Sequence, residues 1–249
     1  MNTSTKLQGK TAFVTGGSRG IGAAIVRRLA AEGATVAFSY QSSADTAYAL
    51  VREIEAAGGR ALAIRADAAD ADAVTKSIND VAKEYGAIDI LVNNAGVLRL
   101  GDVSEFSLED FDLTVAVNVR AVFVATKAAL AHMGSGGRVI NIGSTNADRM
   151  PFAGGAAYAM SKSALKGLVQ GLSRDLGPRG ITINNVQPGP VNTDMNPENS
   201  DFAASLHGLM ALPRHGTPEE IAGLTAYLAS PEAAYVTGAS LNIDGGFAA

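Results

Sequence analysis

Short segments rich in β-branched residues alternate with longer amphipathic segments along nearly all 249 residues of the chain. The short segments predict strands at 11–15, 35–39, 61–66, 88–92, 138–142, 181–187 and 240–243. The longer segments predict helices at 21–32, 44–57, 71–84, 108–132, 156–176 and 218–228. This order is typical of a parallel sheet with helices on both faces. We therefore predict an α/β protein with a doubly wound fold built on a seven-stranded parallel sheet.

No linker rich in proline, glycine or serine divides the chain, and the sequence contains no internal repeat. The pattern therefore predicts a single domain over residues 1–249. The least regular stretch is 188–217, which follows directly from the end of a predicted strand. Long irregular segments in compact domains are usually binding loops or lids. We expect this stretch to form the substrate loop of the site that the sheet carries.

Composition argues against several classes of function. The chain has no cysteine, which removes disulfides and thiolate chemistry, and His132, His207 and His215 are not spaced as metal ligands. A net charge of −4 without a basic block argues against a nucleic-acid partner. The first ten residues lack the apolar core of a signal peptide, and no run of about 18 apolar residues is long enough to span a membrane. We expect a cytoplasmic protein with no metal and no membrane partner.

A glycine-rich segment, VTGGSRGIG at 14–22, follows the first predicted strand and opens the first helix. Gly16, Gly20 and Gly22 permit a tight turn and let the backbone approach a pyrophosphate, which then lies at the helix N-terminus near Ser18 and Ile21. The same residues also satisfy G-x-S-x-G, the turn that carries the nucleophile of serine hydrolases. That alternative requires an acid and a histidine in a recognisable context downstream, and neither is found. A dinucleotide site is the better interpretation.

The end of the second strand distinguishes between the two nicotinamide cofactors. NAD sites hold the ribose 2′-hydroxyl with an acid about 20 residues past the glycine turn. This chain reads FSYQSS at 38–43, with no acid before Asp45. Arg19, inside the glycine turn, is able to pair with a 2′-phosphate, although a solvent-exposed turn residue would look the same. The sequence therefore favours NADP(H) over NAD(H), with further contacts from Ser39, Tyr40, Ser42 and Ser43.

Two further strand ends carry polar residues at the edge where ligands bind in such folds. Asp67, beside Ala68 after the third strand, is placed to accept a hydrogen bond from an adenine amino group, or else to cap the next helix. Asn94, Ala95 and Gly96 follow the fourth strand and line the same edge, or else form a simple turn. We predict that these five residues contact the cofactor.

Tyr158 and Lys162 are four residues apart in an alanine-rich segment that is predicted to be helical, so they lie one turn apart on the same face. A free phenol has a pKa of about 10. A neighbouring positive charge lowers this pKa, which makes a tyrosine usable as an acid or base at neutral pH. An exposed tyrosine and a solvated lysine are the ordinary alternative. The glycine-rich turn upstream favours a catalytic role for this pair, because hydride transfer from a bound cofactor to a carbonyl creates alkoxide charge and requires a proton.

Seven motifs follow one another along almost the whole chain: TGGSRGIG at 15–22, NNAG at 93–96, NVRAVF at 118–123, INIGS at 140–144, YAMSK at 158–162, PGPVNT at 188–193 and DGG at 244–246. In this set and order the chain resembles the short-chain dehydrogenase/reductase family. Within that family it is most similar to the branch of NADPH-dependent 3-oxoacyl-acyl-carrier-protein reductases and carbonyl reductases. The resemblance implies a Rossmann fold and reduction of a ketone to an alcohol by direct hydride transfer.

The resemblance also implies roles for single residues. Tyr158 is expected to be the general acid/base, and Ser144 to hydrogen-bond the substrate oxygen. Lys162 is expected to bind the nicotinamide ribose and to lower the pKa of Tyr158, while Asn118 holds a water in a proton relay. Val191 and Thr193 are expected to face the nicotinamide carboxamide, and the other cofactor contacts expected in this part of the site are Tyr158, Lys162, Pro188 and Gly189.

The spacing between two of these residues departs from the family. Ser144 precedes Tyr158 by fourteen residues, one more than the commonest spacing. Either the intervening loop holds one extra residue, or Thr145 supplies the hydroxyl. We favour Ser144, because it directly follows the apolar strand and Gly143.

Mostly apolar side chains flank the expected substrate end of the site. The predicted substrate contacts are Ser144, Asn146, Met150, Phe152, Tyr158, Met195, Phe202, Leu206 and Met210. Each apolar residue among them is also an ordinary core residue, but together they suit an uncharged carbonyl compound. The helices at 108–132 and 156–176 have alanine- and glycine-rich faces that permit close packing, and the resemblance implies a homotetramer built on them.

The sequence also supports a second function, that of a binding protein instead of an enzyme. The segment 140–165 also resembles a bacterial protein that binds cyclic-di-GMP, which predicts a nucleotide-sensing or sequestering protein on the same scaffold. Sequestration needs no proton relay. The intact set of Asn118, Ser144, Tyr158 and Lys162 therefore favours the enzyme.

Overall fold

The computed structural model describes residues 5–249, so the first four residues of the predicted domain lie outside the described residues. The strands are β1 (Thr11–Val14), β2 (Thr35–Tyr40), β3 (Arg60–Arg65), β4 (Ile90–Asn93), β5 (Arg138–Ile142), β6 (Thr182–Pro188) and β7 (Ser240–Ile243). They form one sheet in the order β3-β2-β1-β4-β5-β6-β7, with every neighbouring pair parallel. The predicted doubly wound fold with seven parallel strands is confirmed.

Helices cover both faces of this sheet. They are α1 (Gly20–Ala31), α2 (Ala44–Ala56), α3 (Ala71–Tyr85), α4 (Leu108–Val115), α5 (Ala121–Leu130), α6 (Ala156–Leu176), α7 (Asp201–His207) and α8 (Pro218–Ala229). One apolar cluster packs α1, α2 and α8 against the sheet, and a second packs α3, α5 and α6 against the other face. Because both faces are covered, the central strands are apolar in both directions, with Ile90, Leu91 and Val92 all buried.

The helix predicted at 108–132 is interrupted. A π-helical turn, Ala116–Arg120, joins α4 to α5, and Asn118 lies within that turn with its side chain buried. Single π turns inside helices are often found at functional sites. Leu108–Leu130 is also long and apolar enough to cross a membrane, with a mean hydropathy of 1.5. Half of that window is buried inside the fold, where Ala125 and Ala129 pack against the sheet.

The predicted loop at 188–217 contains a helix that the sequence pattern did not predict. It is α7, whose first turn is capped by the Ser200 hydroxyl accepting from the Ala203 N–H. Leu206 and Ala203 on its inner face are buried, whereas Phe202 is 46% exposed. A short amphipathic helix thus lies over the carboxyl ends of the strands, where the sequence predicts the substrate loop.

Candidate functional site

A cavity of about 690 Å³ opens along the carboxyl ends of the parallel strands. Ligands of doubly wound proteins bind at this edge. Its wall contains all twenty-one predicted cofactor residues, from the glycine turn through β2, β3 and β4 to 188–193. Ser144, Tyr158 and Lys162 lie on the same wall, so the residues predicted for chemistry and for cofactor binding share one space.

The glycine turn has the geometry that its sequence requires. Gly16 and Gly20 have φ of +66° and +53°, the left-handed region that favours glycine. A Cβ atom on Gly22 would lie 2.2 Å from the Gly16 carbonyl oxygen and 2.5 Å from Asn94 Nδ2. The backbone is therefore packed too closely to admit a side chain at Gly22, and the first turn of α1 meets the strand edge directly.

The N-terminus of α1 is suited to bind an anion. Arg19 is the N-cap residue, its side chain makes no capping hydrogen bond, and the first turn contains no acidic residue. Unpaired N–H groups and the helix dipole both favour negative charge at such a position. The Arg19 side chain is exposed and lines the cavity beside Ser42 and Ser43, while Asp45 is not part of the wall. A positive charge beside two serine hydroxyls suits a phosphate on the ribose.

Polar residues around the turn hold its shape. The Gly16 N–H donates to Ser39 Oγ (3.1 Å), and Asn94 Nδ2 donates to the carbonyl oxygens of Thr15 (3.0 Å) and Gly16 (2.9 Å). Asp67 accepts from the Ala69 N–H (2.9 Å) through one oxygen and from Gln41 Nε2 (2.8 Å) through the other. Ser39, Asn94 and Asp67 therefore fasten the strand ends together as well as lining the cavity.

Tyr158 and Lys162 lie in the first two turns of α6 and both face the cavity. Lys162 is 5% exposed, and its Nζ donates to the Ile142 carbonyl oxygen at 3.0 Å. That nitrogen lies 5.7 Å from the centre of the Tyr158 ring. Removal of the ammonium from water lowers the pKa of Lys162 to about 8. The fold therefore holds a buried cation against the face of the Tyr158 ring on the cavity wall.

The lowered pKa that was expected for Tyr158 is not found in the protein alone, although Lys162 lies over its ring. Burial raises the pKa of Tyr158 above its ordinary value, and only the Ser144 hydroxyl opposes that rise. Lys162 is directed at Ile142 and at the face of the ring, so burial of the phenol dominates. Tyr158 is therefore a protonated phenol at neutral pH, the form that can donate a proton.

Ser144 and Thr145 have different surroundings. Ser144 lines the cavity, and its hydroxyl donates to Asn146 Oδ1 (3.0 Å) while accepting from the Asn146 N–H (3.1 Å). Thr145 is 1% exposed and donates its hydroxyl to Asp244 Oδ2 (2.8 Å), away from the cavity wall. The geometry favours Ser144 over Thr145 as the hydroxyl that meets a substrate oxygen.

Asn118 has a structural task in addition to any predicted role. Its side chain donates to the Val97 carbonyl oxygen (2.9 Å) and to Ser161 Oγ (3.0 Å), and accepts from the Val97 N–H (2.9 Å). The residue is buried behind the cavity wall rather than on it. It ties the loop after β4 to α6. The water relay expected of Asn118 stays a prediction.

Most predicted substrate contacts lie together at one end of the cavity. Asn146, Phe152, Met195, Phe202 and Leu206 are part of the wall. The rings of Phe152 and Phe202 meet edge to face, with centres 5.3 Å apart. An aromatic pair thus joins the loop after β5 to α7 across this end.

Two predicted substrate contacts are placed elsewhere. Met150 is not part of the wall, because its thioether accepts from Asn146 Nδ2 (2.9 Å) and its methyl group fills the space beside Gly155. Met210 is buried behind Leu206 and Phe247. Sequence reasoning missed Val97, Leu98, Arg99, Leu100, Leu113, Val117, Asp194, Asn196 and Phe247, all part of the wall. The first four follow NNAG, and Asp194 and Asn196 lie in the predicted substrate loop 188–217, whereas Leu113, Val117 and Phe247 carried no signal in the sequence.

The three histidines do not form a hydrolase site. His132 Nε2 is 2.7 Å from Asn79 Oδ1, and His207 Nε2 is 2.8 Å from His215 Nδ1. Burial lowers the pKa of His215, which lies in the loop between α7 and α8. Within residues 5–249, none of these three rings is hydrogen-bonded to Ser18, so Ser18 has no histidine base. The described residues also contain no group of three His, Cys, Asp or Glu side chains able to hold a metal.

A parallel sheet with a glycine turn at its first crossover, and a tyrosine paired with a buried lysine beside it, defines a class: the dinucleotide-dependent oxidoreductases. The family model described as enoyl-(acyl carrier protein) reductase matches residues 16–248. The chain belongs to the short-chain dehydrogenase/reductase family, as its motifs indicated.

Individual relatives agree over almost the whole chain. A cyclic-di-GMP-binding biofilm dispersal mediator protein of Escherichia coli K12 is 53% identical over 97% of this chain and 98% of its own length. A short-chain dehydrogenase/reductase from Serratia marcescens is 61% identical, with a TM-score of 0.97 over 98% of this chain and 100% of that one. A short-chain dehydrogenase from Burkholderia cenocepacia, solved in complex with NADP, is 52% identical, with the same TM-score and coverage.

Proposed function

We propose that this protein is an NADPH-dependent reductase that converts a small ketone into an alcohol. One observation carries the proposal: Ser144, Tyr158 and Lys162 line the same cavity as the glycine turn. A proton donor and a hydrogen-bond donor for a carbonyl oxygen thus lie in the space that a dinucleotide would fill. The reaction also runs in reverse as alcohol oxidation.

The residues present fit NADP(H). The closely packed Gly16–Gly22 contact and the uncapped first turn of α1 suit the pyrophosphate, Arg19 suits the 2′-phosphate, and Lys162 suits the nicotinamide ribose. The relative from Burkholderia cenocepacia, solved with NADP, supports the same cofactor. When bound, NADPH supplies a hydride to the carbonyl carbon of the substrate.

The protein's own residues then manage the charge that forms on the oxygen. The Ser144 hydroxyl, which donates to Asn146 Oδ1 in the protein alone, turns to donate its hydrogen bond to the carbonyl oxygen when a substrate is present. Tyr158, protonated because burial raises its pKa, donates the proton that turns the alkoxide into an alcohol. Lys162 stabilises the phenolate left behind, since its ammonium lies over the ring. The wall formed by Phe152, Phe202 and Leu206 excludes water from this step.

The test is NADPH oxidation, followed by the absorbance of the reduced nicotinamide, with a panel of uncharged aliphatic and aryl ketones. We expect turnover with at least one apolar ketone and none with esters. Turnover of no ketone in either direction would overturn the proposal. The stretch 188–217, with α7 over the substrate end, is proposed as the lid of this site.

A second candidate function is sequestration of cyclic-di-GMP, because the relative from Escherichia coli carries that activity in its name. A cavity of about 690 Å³ is roomy enough for more than one class of nucleotide ligand. Titration calorimetry with cyclic-di-GMP, with and without NADP⁺, separates the two functions. Tight binding that NADP⁺ abolishes, in a protein inactive on ketones, would favour the binding protein.

We also propose that the enzyme is a cytoplasmic homotetramer. Large apolar side chains are exposed on the outer faces of α4, α5 and α6, where Leu108, Phe123 and Met160 are 79%, 51% and 44% exposed. Contiguous exposed apolar residues on packed helices mark association surfaces. Light scattering on purified protein checks this assembly, and a monomeric mass would contradict it.

Replacing Arg19 with alanine should remove the preference for NADPH. A charge-assisted contact contributes about 1.5–3 kcal/mol, so we expect KM for NADPH to rise about 10- to 100-fold while KM for NADH changes little. Arg52 on α2 is likewise exposed but lies outside the cavity, and its alanine variant serves as the control. An R19A enzyme with unchanged NADPH kinetics would show that another group selects the cofactor.

Replacing Ser144 with alanine should lower kcat about 100-fold, because loss of one donor to a developing oxyanion costs about that much. The binding of NADPH should be preserved. The control is Ser163→Ala, which removes a hydroxyl from α6 that donates to the Ala147 carbonyl oxygen at the surface. Near-wild-type turnover of S144A would refute the role of Ser144 and would make Thr145 the candidate for the hydroxyl that binds the substrate oxygen.

A further inference from the structure

The C-terminal tail, residues 244–249, enters the site instead of ending at the sheet edge. After β7, Gly245 and Gly246 take φ of +62° and +80° and turn the chain. The Leu212 N–H donates to the Gly245 carbonyl oxygen (2.8 Å), and a Cβ atom on Gly246 would lie 2.7 Å from Ala211 Cβ. The tail thus packs directly against the segment that follows α7.

Asp244 connects this tail to the loop after β5, which carries Ser144. Its Oδ2 accepts from Thr145 Oγ1 (2.8 Å) and from the Ala248 N–H (3.0 Å), while its Oδ1 accepts from the Gly246 N–H (3.0 Å). Thr145 directly follows Ser144. One carboxylate therefore fixes both the turn of the tail and the residue next to the proposed oxygen-binding hydroxyl.

Phe247 is the part of the tail that reaches the cavity. It is 1% exposed, lines the wall, and packs with Leu206 and Met210. Arg149, in the loop after β5, donates to the Phe247 carbonyl oxygen at 2.6 Å, and its guanidinium lies 5.8 Å from the centre of the ring. Arg149 contacts Phe247 from one side, and Leu206 and Met210 pack against it from the other. The position of the ring in the wall is therefore defined by the loop after β5 and by the segment that contains α7.

We propose that Phe247 is a specificity-determining residue that limits the size of the substrate, and that Asp244 is a positioning residue that holds it there. The inference rests on the proposed ketone reduction and deepens it. Three phenylalanines, Phe152, Phe202 and Phe247, border the substrate end, with Leu206 beside them. Such a wall selects uncharged substrates with an apolar or aromatic group, and the Phe247 ring sets how large that group can be.

The test uses aryl methyl ketones whose aryl group grows from phenyl through naphthyl to anthracenyl. Phe247→Ala should raise kcat/KM for the anthracenyl ketone about 10-fold and lower it for the phenyl ketone about 10-fold, since small changes in apolar fit change specificity by such factors. KM for NADPH should stay within about 2-fold. The control is Leu212→Ala, which shortens an exposed side chain against the same tail outside the cavity.

Two further variants separate positioning from simple loss of fold. Asp244→Asn places an amide donor against N–H or hydroxyl donors and should shift the anthracenyl/phenyl ratio in the same direction as F247A. Thr145→Ser keeps the hydroxyl and should keep the wild-type ratio, whereas Thr145→Val should not. A ratio unchanged in F247A, or an equal loss on all three ketones, overturns the proposal.

Failure of this inference is distinguishable from failure of the proposed reaction. If the wild-type protein reduces no ketone, the proposed reaction fails, and calorimetry of the same three ketones on the NADP⁺-loaded proteins decides on Phe247. Tighter binding of the anthracenyl ketone by F247A than by wild type supports the size limit. Equal affinities of the two proteins for all three ketones refute it.

Discussion

Tyr158→Phe is expected to reduce kcat about 1,000-fold, with KM for NADPH nearly unchanged. The Tyr158 phenol is a neutral, protonated group on the cavity wall near Ser144, so its loss removes the proposed proton donor and leaves the rest of the wall intact. Positioned proton transfer contributes about 10²–10⁴-fold to enzymatic rates. Steady-state NADPH oxidation gives kcat, and the fluorescence of bound NADPH gives its affinity.

The control for this variant is Tyr235→Phe, which removes a hydroxyl from a fully exposed tyrosine. It should leave both kcat and cofactor affinity unchanged. If Y158F keeps more than about a tenth of the wild-type kcat, the proton comes from another donor, since general acids contribute at least 10²-fold. If Y158F loses NADPH affinity together with kcat, the phenol acts in cofactor binding instead.

The direction of the pKa shift gives this prediction a pH dependence. A phenol whose pKa is raised by burial stays protonated throughout the neutral range. Ketone reduction, which uses the protonated form, should therefore be insensitive to pH around 7. Alcohol oxidation uses the phenolate and should accelerate as pH rises.

Local sequence signals were enough to predict the sheet and the edge that carries the site. β-Branched runs mark the strands because both sheet faces are buried, and Gly16, Gly20 and Gly22 mark the turn because their backbone conformation and close packing exclude side chains. Tyr158 and Lys162 were predictable as a pair because their spacing matches one helical turn. Each of these signals comes from residues that lie close together in the sequence.

What the sequence did not reveal depends on contacts between distant segments. The tail, whose Asp244 contacts Thr145 from ninety-nine residues away, gives no local pattern beyond a terminal DGG. Met150 and Met210 looked like pocket residues because they are apolar and lie in the right loops, yet they pack behind the wall. The pKa of Tyr158 depends on how deeply the ring is buried, which the Tyr–Lys spacing does not encode.

Lys162→Met is expected to inactivate the enzyme and at the same time to stabilise the fold. The buried ammonium has a pKa of about 8 instead of its ordinary 10.5, which means that the fold disfavours the charged form. A shift of that size corresponds to about 3 kcal/mol, and loss of the hydrogen bond to the Ile142 carbonyl oxygen offsets about 1 kcal/mol. We expect a net gain of about 2 kcal/mol in the free energy of unfolding at pH 7, with kcat lowered at least 100-fold.

The stability gain should depend on pH in a defined direction. Below pH 8 the folded and unfolded forms both carry the charge, so the penalty of burying it is fully present in the wild type. Between pH 8 and 10.5 the folded lysine is neutral while the unfolded lysine still binds a proton, so wild-type stability rises relative to the variant. Urea unfolding at pH 7 and pH 10 should show the difference shrinking toward zero. Lys127→Met, at an exposed position on α5, should show no such change, and a K162M protein less stable than wild type at pH 7 would mean that the ammonium is held by stronger contacts than Ile142 provides.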